Sequence, residues 1–142
     1  MKSRVVLDTN IYVSALMKSA STPGRVFKKI IQGSAYELVV SEAILDEIRR
    51  VLFYPKVRKY IRGTDDEIKH WIQSISMIAH IVYPENQDQV IVHEDPDDDK
   101  FILAALEARA KVLVSGDTHL LKLKKYQGIN IITPQAFISS NL

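Results

Sequence analysis

What this chain can fold into is constrained above all by its apolar runs, which are short, continuous and separated by longer stretches of helical period. Val5-Val6-Leu7, Leu38-Val39-Val40 and Val112-Leu113-Val114 do not alternate apolar with polar residues. Successive side chains of a strand point to opposite faces, so a strand with one wet face would alternate. Unbroken runs belong to strands covered on both sides, and strands separated by helices favour a parallel sheet in an α/β fold. The pattern predicts strands over 4–7, 36–40, 81–83, 112–114 and 129–132. Helices are predicted over 11–17, 25–32, 41–53, 64–79 and 98–109, with a short one from Thr118 and a last one after Pro134. Ser41 reads as an N-cap, Thr64 with Glu67 as a capping box, and the Ser, Thr, Pro and Gly between 19 and 24 as a loop.

At 142 residues the chain is expected to form a single domain over 1–142. A domain of this size buries roughly 70% of its unfolded surface and needs no covalent staples. The absence of Cys excludes a disulfide scaffold, a thiol nucleophile and any Cys-ligated metal. Nineteen basic against seventeen acidic residues give +2, too even to indicate a nucleic-acid binder by charge alone. No apolar run approaches the ~20 residues of a membrane span. The apolar N-terminal run is interrupted by Asp8 and Asn10, unlike a signal peptide, so a cytoplasmic location and no membrane association are expected.

In sheets of this kind ligands bind beyond the carboxyl ends of the strands. Leu7 is followed by Asp8, Thr9 and Asn10, and Val114 by Ser115, Gly116 and Asp117. Each polar group also suits a plain helix N-cap. Two helices offer further carboxylates. At about 100° per residue, Asp99 shares the arc of Ile102, Leu103, Leu106 and Ala110, which must face the sheet. Asp98 lies to one side of that arc and Asp97 nearly opposite, so Asp99 is expected inward, at a helix N-terminus that favours an anion. The other acids of the cluster, Glu94, Asp95, Asp97 and Asp98, are expected to be solvated or capping. Glu47 borders the stripe of Ile44, Ile48, Val51 and Leu52, where a snorkelling surface role is equally open. Carboxylates converging at ~4 Å repel by about 4 kcal/mol per pair at an effective dielectric of 20. With no Lys or Arg beside the strand-end motifs, a hard dication, Mg2+ or Mn2+, is the natural compensation.

Taken together, Leu7-Asp8-Thr9-Asn10, Glu47, Asp95-Pro96-Asp97-Asp98-Asp99-Lys100-Phe101 and Val114-Ser115-Gly116-Asp117 resemble the PIN domain, in the branch of bacterial toxin–antitoxin toxin components. The resemblance extends to Ile131-Ile132-Thr133-Pro134 and Phe137 and so covers essentially the whole chain. It implies a three-layer fold around a five-stranded parallel sheet and a metal-dependent ribonuclease. It also implies Asp8, Glu47, Asp99 and Asp117 as metal ligands, with Thr9, Asn10 and Ser115 as supporting polar groups. One departure is His119, where related sequences often carry an acid two positions after the last aspartate.

Arg49, Arg50, Lys56, Arg58, Lys59 and Arg62, interleaved with Phe53, Tyr54 and Tyr60, read either as a solvated face or as a rim for an RNA backbone with aromatics for stacking. Lys100 is a further phosphate-neutralising candidate. His70, His80, His93 and His119 show no paired zinc spacing, and His70 and His80 are expected on the long helix. Trp71 with Ile68, Ile72, Ile75, Ile78 and Ala79 reads as a packing face. The expected activity is a Mg2+- or Mn2+-dependent endoribonuclease acting on single-stranded RNA, with an antitoxin protein and a homodimer or higher oligomer as expected assemblies. A catalytically silent RNA- or protein-binding module on the same fold is the alternative. A phosphoacceptor domain fits less well, because the third strand ends in Tyr83-Pro84 and the fifth in Thr133-Pro134, without the required Asp and Lys.

Overall fold

The computed structural model describes residues 2–85 and 96–140, so His93, Glu94 and Asp95 lie outside the described residues. β1 (Ser3–Leu7) leads through α1 (Thr9–Met17) and α2 (Thr22–Gln32) to β2 (Tyr36–Ser41). α3 (Glu42–Leu52), the single turn α4 (Pro55–Arg58) and α5 (Asp65–Ile78) precede β3 (His80–Val82). A 3-10 turn (Pro96–Asp98) runs into α6 (Asp99–Ala108), followed by β4 (Val112–Val114) and α7 (Thr118–Leu121). β5 (Lys125–Tyr126), β6 (Ile129–Ile132) and α8 (Pro134–Ser139) complete the chain.

The strands form one sheet in the order β3-β2-β1-β4-β6-β5. The first five in that order pair in parallel, as the uninterrupted apolar runs require. The sixth corrects the expected count: β5 pairs antiparallel with β6 through a turn in which Gln127 and Gly128 have positive φ. Two residues carry no hydrophobic period, so the sequence pattern could not reveal it. Val5, Val6 and Leu7 are consecutive and all fully buried, which places apolar cover on both faces of the sheet. α6 packs across β1, β2, β3 and β4, while α2 packs on β2 beside α1 and α8.

Local chemistry explains most helix boundaries. The Ser41 hydroxyl accepts the Ile44 N–H at 3.3 Å. Thr64 and Glu67 form the expected reciprocal box, with Thr64 N–H on Glu67 Oε1 at 3.1 Å and Glu67 N–H on Thr64 Oγ1 at 3.2 Å. α2 starts three residues earlier than predicted, capped by Ser21, because Pro23 in a first turn gives up no hydrogen bond. Gly24 is required there for close packing: a Cβ at this position would meet the Ser19 carbonyl oxygen at 2.5 Å. Trp71 packs on Phe27 with ring centroids 5.5 Å apart, and Phe27 packs edge-on against Tyr12 at 5.8 Å, tying α5, α2 and α1 together. Ile78, expected on that packing face, is exposed as the last residue of α5, and His80 belongs to β3 rather than to the helix.

The strand order reverses between β1 and β4, since β1, β2 and β3 grow to one side and β4 and β6 to the other. A crevice opens at the carboxyl ends of strands at such a reversal. α3 flanks this crevice and is held by Ile48, which is fully buried. Ile48→Ala is expected to lower unfolding free energy by about 2–5 kcal/mol in urea titrations, displacing the adjacent Glu47 from the crevice wall.

Candidate active site

In the β1–β4 ladder Leu7 sits opposite Val114, so the residues that follow these two strands arrive at the same level. The Asp8 N–H extends the ladder by donating to the Val114 carbonyl at 3.1 Å. Its carboxylate then does two jobs. Oδ1 accepts the Ile11 N–H at 3.3 Å and caps α1, while Oδ2 accepts the Ser115 hydroxyl and, at 3.3 Å, the Gly116 N–H. Ser115 is fully buried, and its Oγ also accepts the Asp117 N–H at 2.9 Å. Asp117 in turn caps α7, its Oδ1 accepting the His119 N–H at 2.7 Å. The capping roles and the clustering at the strand ends are therefore compatible; the caps orient the carboxylates. Asp8 is only 4% exposed, and burial pushes its carboxyl above the usual carboxylate range despite the hydrogen bonds that favour the charge. Tyr12, fully buried nearby, has its hydroxyl pushed up by burial and by the Asp8 charge.

Glu47 reaches the same place from α3. The Thr9 hydroxyl donates to its Oε2, and Lys100 Nζ contacts its Oε1 at 2.7 Å, with both charged side chains largely buried. Lys100 also lies 5.5 Å over the Phe101 ring. Arg50 approaches the same Glu47 oxygen at 3.8 Å from a more exposed position. The rest of the basic stretch has other commitments. Arg49 pairs with Asp46 at 2.8 Å along the outer face of α3. Arg58 pairs with Asp65 at 2.8 Å and donates to the carbonyls of Ile61 and Gly63 at 2.9 Å and 2.8 Å, closing the α4–α5 connection. Lys56 is exposed on α4, and Tyr54 and Tyr60 present exposed rings.

A cleft of about 160 Å3 opens over these groups, lined by Asp8, Thr9, Asn10, Glu47, Val51, Asp98, Phe101 and Asp117. Of the four acids expected as ligands, it gathers Asp8, Glu47 and Asp117. The 96–101 segment contributes Asp98 and Phe101 to the wall, and Asp99 lies buried at the head of α6, outside the lining. The reason is that α6 is buried nearly all round: Phe101, Ile102, Leu103, Ala104 and Ala105 are all covered. Asp98 and Phe101, three residues apart, share the face toward the cleft, while Asp99 is buried one position on and does not line it. A single apolar arc marks one covered face of α6 and leaves the other unmarked.

Carboxylate oxygens of Asp98 and Asp117 and an imidazole nitrogen of His119 lie within 4.8 Å of one another. Small side-chain rotations bring such atoms to the roughly 2.0–2.6 Å at which oxygen ligands hold a hard dication. Asp8, fixed by Ser115 and Gly116, adds a buried negative charge beside them. The donor set fits a divalent cation. His119 was visible in sequence only as a departure from an expected acid; its place in the cluster follows from the turn of α7.

A family model for the PIN domain matches residues 4–119. The uncharacterized protein MJ1680 of Methanocaldococcus jannaschii is 34% identical over 146 aligned positions, covering 97% of this chain and 91% of that protein. Among solved structures, PAE2754 from Pyrobaculum aerophilum superimposes with a TM-score of 0.61 at 16% identity, over 98% of this chain and 88% of that one. VapBC-1 from nontypeable Haemophilus influenzae gives 0.61 at 14% identity, over 93% and 98% of the two chains. VapBC2 from Rickettsia felis, solved bound to a DNA fragment from its promoter, gives 0.58 at 15% identity, over 92% and 98%. Those three likenesses concern the fold, whereas the family model and the relative at 34% identity reach the sequence itself. This chain belongs to the PIN domain family.

Proposed function

We propose that this protein is a Mg2+- or Mn2+-dependent endoribonuclease that hydrolyses phosphodiester bonds of single-stranded RNA, acting as the toxin of a toxin–antitoxin pair. The observation that carries the reading is the convergence of Asp8, Glu47, Asp98 and Asp117, from four separate segments, on one cleft at the sheet's reversal point. Membership of the PIN family supports nuclease chemistry, and the likeness in fold to two VapBC structures supports an antitoxin partner and an assembly of more than one chain.

Asp8, Asp98 and Asp117 would hold the cation, with Glu47 completing the negative wall; Asp98 takes the role that the sequence assigned to Asp99. A dication bound there supplies Lewis-acid stabilisation of the phosphate and lowers the pKa of a nearby water. The chain's own groups do the rest. Ser115 and Gly116 hold the Asp8 carboxylate at one orientation, and Thr9 does the same for Glu47. Asn10, exposed at the lip of the cleft, would meet the substrate. Lys100, beside Glu47, brings a positive charge toward the scissile phosphate, and Arg50, Arg49 and Lys56 lie on the outer surface where a backbone would run. The Lys100–Glu47 pair is also what favours a second reading, a silent RNA- or protein-binding module in which lysine rather than a cation neutralises the wall.

Cleavage of single-stranded RNA on gels with Mg2+, Mn2+ or EDTA separates the two. Asp8→Asn, Asp98→Asn and Asp117→Asn are each expected to slow cleavage by about 100-fold or more, and EDTA to abolish it. Asp99→Asn is expected to stay within about tenfold of the parent. An Asp98→Asn protein that cuts at the parental rate would remove the proposed mechanism.

The Asp8 shift has a consequence for stability. Because its carboxyl is raised in the folded state above its ordinary value near 3.8, the unfolded chain ionises first as pH rises. The metal-free protein therefore loses stability through this group from about pH 4 upward until the folded carboxyl has also ionised. In Asp8→Asn that component is gone, so the stability of the variant minus that of the parent is expected to increase with pH across this window. Urea titrations in EDTA at stepped pH measure the difference; a difference that stays flat would contradict the buried charge.

A further inference from the structure

We infer that His119 supplies an imidazole nitrogen to the cation held in this cleft, so that the site favours Mn2+ and chemically similar transition dications over Mg2+. The inference rests on the reading that the cleft holds a dication, and goes beyond it by assigning a ligand and a selectivity. Its basis is the geometry at the start of α7. Asp117 caps the helix by accepting the His119 N–H at 2.7 Å, which fixes the backbone of both residues as one unit. With that turn set, the His119 Nδ1 lies 3.7 Å from Asp117 Oδ1. An imidazole nitrogen, an Asp117 oxygen and an Asp98 oxygen all fall within 4.8 Å of one another. The His119 ring is half-exposed at the edge of the cluster, open to solvent for exchange of the ion.

The donor chemistry decides the rest. Mg2+ holds to oxygen and keeps several waters, in near-ideal octahedral geometry. Imidazole nitrogen suits first-row transition dications, whose affinity for mixed nitrogen and oxygen sites rises from Mn2+ onward. One imidazole among the carboxylates of Asp8, Asp98 and Asp117 therefore shifts the balance away from Mg2+ relative to an all-carboxylate site. The competing description is a simple Asp117–His119 ion pair at the rim; it places no nitrogen on the ion and predicts no change in selectivity when the histidine is replaced.

The test is metal binding to the full chain, read without turnover. Calorimetric titration with Mn2+ and with Mg2+ gives two dissociation constants for the parent, His119→Asp and His119→Gln. Pulsed electron paramagnetic resonance of the Mn2+-loaded parent reports directly on a bound 14N nucleus, and needs no variant to fold. Coupling to 14N in the parent, lost in His119→Asp, together with a fall of about tenfold or more in the Mn2+ preference over Mg2+, supports the assignment. Mn2+ that binds the parent without 14N coupling, with a preference unchanged in both variants, overturns the role of His119 while leaving the metal-dependent nuclease intact. A parent that binds neither ion overturns both.

Discussion

The structure depends on the parallel pairing of β1 with β4 and on the bridge that finishes it. Leu7 lies opposite Val114, and immediately beyond them the buried Ser115 hydroxyl is bonded to the Asp8 carboxylate. A shift of one residue in this register would send every side chain of the strand to the opposite face. Val5, Val6 and Leu7 are apolar on both faces, so burial alone discriminates weakly against such a slip, and the strand-end hydrogen bonds of Asp8 fix the register. The same contact joins halves of the chain 107 residues apart in sequence. The interaction that closes the β1–β4 register thus also orients the first carboxylate of the site.

The electrostatics of that mouth are only partly balanced. Lys100 meets Glu47 at 2.7 Å, and this pair, with Arg50 at 3.8 Å, offsets one of the converging acids. Asp8 has hydrogen-bond donors but no salt-bridge partner among the described residues, and burial raises its carboxyl. Hydrogen bonds from Ser115, Gly116 and Ile11 do not replace water fully for a carboxylate that is 4% exposed. Lys100 therefore answers the charge of Glu47 and not that of Asp8. The lysine attends to Glu47, while Asp98, Asp117 and His119 gather their donor atoms within 4.8 Å of one another.

Much was legible before coordinates. Capping signals identified α3 and α5 because an N-cap is a local event, decided by a hydroxyl and an N–H three residues later. Uninterrupted apolar runs identified parallel strands because burial on both faces removes the need for alternation. The beginning of α2 was hidden, since Pro23 and Gly24 suit both a loop and a first helical turn, and the choice fell to the close approach of the Ser19 carbonyl. Asp98 was hidden for a different reason. Helical phase locates one apolar arc, whereas α6 is covered on two sides, and the 3-10 turn ahead of it sets Asp98 with Phe101 toward the cleft.

By itself the sequence determined which segments become strands, where their carboxyl ends lie, and that Asp8, Ser115 and Asp117 stand at two of those ends. These follow from periodicity, capping and the chain direction, all of which act over a few residues. The tertiary structure alone decided that β1 and β4 are neighbours, that Lys100 turns to Glu47, and that Asp98 and His119 join Asp117 while Asp99 stays behind. Those outcomes depend on which helix face meets which wall, and a helix buried on two sides carries no local mark of the difference.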